Sequence, residues 1–252
     1  MNGQTVIETQ DLTKVYGEQV AVNRLNLKID QGEVFGFLGP NGAGKTTSLL
    51  MLLGLSEPTS GKAWVCGFDP TREPLKVKKI VGYLPENVGF YDDLTAAQNL
   101  LFMGRLNGIP EEAARPKVQE VLKIVGLEID SRKKVGAYSR GMRQRLGIAE
   151  VLLKEPQVVF LDEPTLGLDP DGALQMLEVI RLMSRDKKIT VLFSSHLLDQ
   201  VQKISDRVGI MLKGNMVAMG RIDDLAEEKF GIGQEKYTLE EIYMKYFKEG
   251  QS

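Results

Sequence analysis

One eight-residue loop constrains this chain more than any other feature. Gly39-Pro-Asn-Gly-Ala-Gly-Lys-Thr46 has the spacing G-x-x-x-x-G-K-[ST]. It follows the apolar run Val34–Leu38, which reads as a strand buried on both faces. It precedes a helical stretch at 46–53 that Gly54 stops. A strand, a glycine-rich loop and a helix in that order let backbone N–H groups converge on phosphate oxygens. The helix N-terminus adds partial positive charge there. Lys45 then reaches the β- and γ-phosphates of a nucleotide, and Thr46 holds Mg²⁺.

The rest of the chain is read around that loop. Residues 4–30 read as antiparallel strands, because Leu25, Leu27 and Ile29 alternate with polar residues. The middle is helical. Thr95 and Gln98 form a capping box ahead of a helix at 99–107, and Gly108 ends it. Val118, Val121, Leu122 and Val125 make one apolar helix face, and Pro116 places the start of that helix near itself rather than at Glu111. Ser139 is an N-cap for a helix running to Lys154, with Met142, Leu146, Ala149 and Leu153 on one side. Strands return at 158–161, 189–193 and 208–212, with a helix between them whose inward face is Leu174, Leu177, Ile180 and Met183. Strands alternating with helices imply a parallel sheet. Gly214–Asn215 reads as a hairpin turn, and Thr238 with Glu241 caps a last helix whose inward residues are Leu239, Ile242, Tyr243 and Tyr246. The fold class is therefore α/β, with a helical block inserted into the sheet-forming part.

Two further clusters carry chemistry. Val158-Val-Phe-Leu-Asp162-Glu163 is an apolar strand ending in two carboxylates. Asp162 suits the Mg²⁺ that Thr46 also touches. Glu163, one residue on, is expected to point elsewhere and to polarise an attacking water as general base. His196 follows the strand at 189–193, and strand C-termini are where ligands sit in such sheets.

Composition excludes several classes. The chain has 252 residues, 42% of them hydrophobic and 26% charged, as in an ordinary globular domain. One histidine and one cysteine, Cys66, exclude a metal site built from several His and Cys and any internal disulfide. A net charge of −2 gives no electrostatic reason to expect nucleic acid. The basic clusters at 76–79, 132–134 and 185–188 read as solvated surface. No segment approaches the roughly 20 apolar residues that span a bilayer, and the polar start is not a secretory signal.

With Tyr138-Ser139-Arg140-Gly141-Met142-Arg143-Gln144 added, the chain resembles the ATP-binding subunits of ABC (ATP-binding cassette) transporters over essentially its whole length. That segment is similar to the family's signature, Leu168-Asp169 to its D-loop and His196 to its switch histidine. The resemblance implies a P-loop NTPase (RecA-like) core with an N-terminal antiparallel β-subdomain and an inserted α-helical subdomain. It implies one ABC ATPase domain at 4–235, with core segments near 33–85 and 155–220 and the helical subdomain near 87–153. A short C-terminal helix follows at 236–252. It implies ATP and Mg²⁺ as cofactors. Catalysis falls to Glu163, His196 and Lys45. Nucleotide contacts fall to Tyr16, which stacks on adenine, and to Gly39, Pro40, Asn41, Gly42, Ala43, Gly44, Lys45, Thr46, Thr47, Glu86, Ser139, Gly141 and Asp169. Metal contacts fall to Thr46, Glu86 and Asp162.

Two positions depart from the family pattern. Glu86, in Tyr83-Leu-Pro-Glu86, stands where glutamine is usual, and a carboxylate still ligates Mg²⁺. Arg140 and Met142 replace a glycine and a glutamine, while Ser139 and Gly141 remain to touch phosphate. Together these departures resemble a branch of separate ATPase subunits of drug, lipid, ion and copper-related exporters. The resemblance implies a head-to-tail pair of such subunits, read as a homodimer. It also implies integral membrane subunits docked near Glu86 and the helical block, where Phe90 and Tyr91 offer an apolar surface and Phe102 reads as core. Nucleic acid is not expected, and the cytoplasmic face of the membrane is the implied location. A non-transport ABC ATPase is the alternative; such members usually carry two cassettes or a long coiled-coil insertion.

Overall fold

The computed structural model describes residues 4–231 and 237–249. The chain starts as an antiparallel pair, β1 (Thr5–Tyr16) and β2 (Gln19–Asp30), turned around Gly17. The expected alternation holds in β2, where Leu25, Leu27 and Ile29 are buried and their neighbours exposed. After β3 (Val34–Leu38) and helix α1 (Lys45–Leu52), strand β4 (Ser60–Val65) pairs with the free side of β1. This three-stranded sheet, in the order β2-β1-β4, therefore takes a strand from within the segment expected to be all core.

The larger sheet forms from β3, β5 (Val81–Leu84), β6 (Val158–Asp162), β7 (Thr190–Ser195), β8 (Arg207–Leu212) and β9 (Asn215–Gly220). Its order is β5-β6-β7-β3-β8-β9, parallel except for β9. The turn into β9 is Lys213–Gly214, one residue before the expected position; both residues have positive φ, as a two-residue hairpin turn requires. Phe35, Phe37, Phe160 and Leu192 face α1 and the three-stranded sheet, while Val34, Leu38, Val159, Leu161, Val191 and Phe193 face the opposite helices. The central strands are thus apolar through their middles because both faces are covered.

Helix α2 (Pro74–Ile80) leads into β5. Between β5 and β6 the chain makes α3 (Ala96–Leu106), α4 (Glu111–Ile124) and α5 (Arg140–Leu153). The capping box of α3 is reciprocal: Thr95 Oγ1 accepts from Gln98 N at 3.2 Å and Gln98 Oε1 accepts from Thr95 N at 2.8 Å. We expect Thr95→Ala to cost about 1 kcal/mol in a urea unfolding measurement. The expected start of the next helix near Pro116 is wrong. α4 begins at Glu111 and runs through Pro116. Pro116 lies on the exposed face, so the Glu112 carbonyl it leaves without an N–H can turn to water. Glu111 and Glu112 favour the helix N-terminus, Glu111 pairs with Arg105 and Arg115, and Ala114, Val118, Val121 and Leu122 are buried.

Helix α6 (Pro170–Arg185) buries Met176, Leu177, Ile180 and Met183, but Leu174, expected to face inward, is half exposed. The inward face begins at Ala173 instead. Helices α7 (Leu198–Ile204), α8 (Ile222–Phe230) and α9 (Leu239–Glu249) complete the description. Leu239, Ile242 and Tyr246 of α9 are buried, and Tyr243 is half-buried against the same cluster. The expected boundary at 235/236 lies outside the described residues. No described helix is long and apolar enough to cross a membrane.

Candidate nucleotide site

Strands β3, β5, β6 and β7 all point their C-terminal ends at one edge of the sheet, where such folds bind ligands. Leu38 delivers the chain into the loop. Two of its glycines admit no side chain. A Cβ on Gly39, at φ +155, would lie 2.3 Å from the Met211 carbonyl oxygen, and one on Gly44, at φ +104, would lie 2.3 Å from that of Ala21. The loop is thereby pressed against β8 and β2, and α1 starts directly behind it.

Lys45 is buried and folds back over this loop. Its Nζ donates to the carbonyls of Gly39 at 2.6 Å and Pro40 at 3.3 Å, and it lies 3.4 Å from Glu163 Oε1. Thr46 Oγ1 faces the Asp162 carboxylate at 2.9 and 3.2 Å. Burial and the charge of Asp162 together push the Tyr83 phenol on β5 up to about 12.

Glu163 does not turn away from the loop as strand alternation predicts. Its backbone adopts φ +50, which swings the side chain back beside Lys45. A non-glycine residue held there costs on the order of 1 kcal/mol, a strain typical of functional sites. Its N–H donates to Ser194 Oγ at 3.0 Å, and the same hydroxyl donates to Asp162 Oδ1 at 2.6 Å. The parallel register sets Asp162 opposite Ser194, so one buried serine holds the Asp162 carboxylate and the Glu163 backbone. His196 Nδ1 lies 2.9 Å from Glu163 Oε2. An ionised carboxylate only accepts, so Nδ1 carries the proton. Glu163 Oε1 is fully covered and has no hydrogen bond, only the Lys45 charge.

A cavity of about 290 Å³ opens over the loop. Pro40, Asn41, Gly42, Ala43, Gly44, Lys45, Thr46 and Thr47 line it, with Glu163, Glu86 and, from the β1–β2 hairpin, Tyr16, Gln19 and Ala21. The Tyr16 ring is half exposed, its hydroxyl 3.3 Å from Ser56 Oγ and Lys14 Nζ 4.9 Å from its centroid. The Glu86 side chain is exposed, and its backbone carbonyl accepts from Gln144 Nε2 at 2.9 Å. Ser139, Gly141 and Asp169 do not line the cavity. Ser139 Oγ caps α5 at Met142 N, 3.2 Å away, and Asp169 caps α6 at Gly172 N, 3.3 Å away. Ser194 and Gln144 had no assigned role in the sequence; Gln144, only 1% exposed inside an otherwise apolar helix face, is the one signal that could have marked it.

The model of the ABC transporter family matches residues 22–166. The chain is 45% identical over 213 residues to the bacitracin transport ATP-binding protein BcrA of Bacillus licheniformis, covering 84% of this chain and 69% of that protein. It is 34% identical over 226 residues to the linearmycin resistance ATP-binding protein LnrL of Bacillus subtilis, covering 90% of this chain and 72% of that protein. Among solved structures, the dimeric post-hydrolysis state of the ATP-binding cassette MJ0796, bound to ADP and phosphate, superposes with a TM-score of 0.75. That match is 25% identical and covers 85% of this chain and 98% of the other. That cassette is dimeric, and another structural neighbour, cbiO1 of Clostridium perfringens, is part of the ABC transporter complex cbiONQ. A loop that fits phosphates, two carboxylates set at its edge and these relatives agree: the chain belongs to the ABC transporter family and is the ATP-binding, ATP-hydrolysing subunit of a transporter.

Proposed function

We propose that two copies of this chain pair head to tail, each holding one ATP on its own loop and capping the partner's ATP with its Ser139–Gly141 turn. The observation that carries this reading is the Glu163 carboxylate, held between Lys45 and His196 beside the cavity. Water attacks the γ-phosphorus and gives its proton to Glu163. The bridging P–O bond breaks, and ADP and phosphate leave. His196 keeps Glu163 aimed by donating from Nδ1. Entering phosphate draws Lys45 off Glu163, which frees the carboxylate to act as base as the substrate arrives. Tyr16 stacks on the adenine, and Asp169 contacts the partner's nucleotide.

The donor set fits Mg²⁺. Thr46 Oγ1 and the Asp162 carboxylate are hard oxygen ligands already facing one another, and Glu86 lies across the same cavity. Among the described residues no group of three or more His, Cys, Asp or Glu could hold the ion unaided, so oxygens of the nucleotide's phosphates and of water would complete its shell. When bound, the ion neutralises charge on the β- and γ-phosphate oxygens. Glu86→Gln will hydrolyse ATP within about tenfold of wild type, because either side chain offers an oxygen; complete loss in a phosphate-release assay would show that the charge itself is required.

The membrane subunits dock on the helical block near Glu86. Tyr91 there is exposed and meets half-buried Phe102 edge-on at 5.1 Å, and Phe90 is half-buried. An adjoining groove of about 320 Å³ is lined by Leu53, Leu55, Tyr83, Met103 and Val151. The bacitracin and linearmycin relatives support export, driven from the cytoplasmic face. The test is to recover tagged Glu163→Gln with ATP from solubilised membranes. A stoichiometric polytopic protein supports the proposal; recovery without one overturns the docking.

A further inference from the structure

Arg140 is the residue at which the signature-like turn departs furthest from the family pattern, and what it touches is a second loop. The guanidinium lies across Gly167: a Cβ built there would come 2.6 Å from Arg140 Nη1 and 2.9 Å from Cζ. Beside it, a Cβ on Gly141 would meet Leu168 Cδ2 at 3.7 Å. Among the described residues the exposed Arg140 side chain enters no hydrogen bond or ion pair, so its contact with Gly167 is one of packing. Gly167 has φ +70 and lies in the second of two overlapping turns, 163–166 and 165–168. Leu166 N donates to the Glu163 carbonyl at 3.1 Å, and Leu168 N donates to that of Thr165 at 3.2 Å. The loop under Arg140 is therefore hydrogen-bonded step by step back to Glu163, whose own left-handed backbone hangs on Ser194.

We propose that Arg140 is a positioning residue for hydrolysis, tying the turn that caps one ATP to the loop that sets Glu163 at the other. This rests on the head-to-tail pair proposed above. In that pair each chain's Ser139–Gly141 turn meets the partner's nucleotide, while its Glu163 serves its own. When the partner's ATP draws the turn in, Arg140 moves with it and bears on the loop from Glu163 to Leu168. Glu163 then reaches its working position only when both nucleotides are present. A planar guanidinium suits the task because it lies flat where a side chain at position 167 would stand; an ammonium does not.

The experiment measures phosphate release against ATP concentration for the wild-type full chain, Arg140→Ala, Arg140→Lys, Gly167→Ala and the double variant Arg140→Ala/Gly167→Ala. A fluorescent ATP analogue gives nucleotide affinity in parallel. Arg140 is exposed, so its variants fold. Wild type responds sigmoidally to ATP. Arg140→Ala loses the sigmoidal response and about tenfold in kcat, a usual size for coupling between sites, with nucleotide affinity unchanged. Arg140→Lys behaves like Arg140→Ala. Gly167→Ala moves kcat the same way, and by less in the Arg140→Ala background than alone, because the two act through one contact. The proposal is overturned by a hyperbolic wild type, by unchanged kcat in Arg140→Ala, by weakened nucleotide affinity at unchanged kcat, or by additive effects of the two substitutions. The pairing beneath it is read separately: Glu163→Gln with ATP elutes as a dimer on size exclusion, and a monomer there overturns both.

Discussion

Glu163→Gln will bind ATP and hydrolyse it slower than wild type by a factor on the order of 10² or more, the usual loss for a removed general base. Glutamine has nearly the volume of glutamate and keeps an oxygen that accepts from His196 Nδ1–H, so the packing around the site survives. What it lacks is a site to take the proton from water. It also lacks the charge that faces Lys45 at 3.4 Å. ATP must win Lys45 from Glu163 in the wild type but not in the variant, so nucleotide affinity rises while turnover falls. Single-turnover phosphate release and titration with a fluorescent nucleotide measure the two effects separately. Turnover at the wild-type rate would show that another group takes the proton.

The contrast between Asp162 and Glu163 shows what a one-dimensional reading reaches. The phosphate loop was legible because its chemistry needs contiguous residues: a strand, glycines, a lysine and a hydroxyl on the first helical turn. Asp162 was legible because it closes an otherwise apolar strand, where a carboxylate stands out. The direction of Glu163 was not, because period-2 alternation assumes an extended backbone and Glu163 leaves it at φ +50. Ser194 fell just past the strand expected at 189–193 and carried no role. Its hold on the Asp162 carboxylate and the Glu163 backbone N–H depends on the register between β6 and β7, which pairs positions far apart in the chain. The same non-local pairing carried β4 into the other sheet. Pro116 misled because a proline on an exposed helix face disturbs only a carbonyl that water can reach. Helix α8 was missed altogether, since it buries little beyond Leu225.

Lys45→Ala will lose hydrolysis by about 10³ or more, since a cation aimed at developing phosphate charge is worth at least as much as one oxyanion donor. The effect differs in kind from that of Glu163→Gln, because nucleotide affinity falls as well. The substitution also removes the donor to the Gly39 and Pro40 carbonyls and leaves Glu163, 7% exposed, with only His196 beside its carboxylate. An unpaired buried carboxylate costs on the order of 1–3 kcal/mol, so the single variant unfolds at lower urea than wild type. Adding Glu163→Gln removes that charge. The double variant Lys45→Ala/Glu163→Gln therefore regains stability over Lys45→Ala while remaining inactive and weak in nucleotide binding. Stability and catalysis separate because the same lysine serves both the protein's own carboxylate and the nucleotide's phosphate. If the double variant were no more stable than Lys45→Ala, the 3.4 Å contact would be a neighbourhood without energetic weight, and the competition between ATP and Glu163 for Lys45 would fail with it.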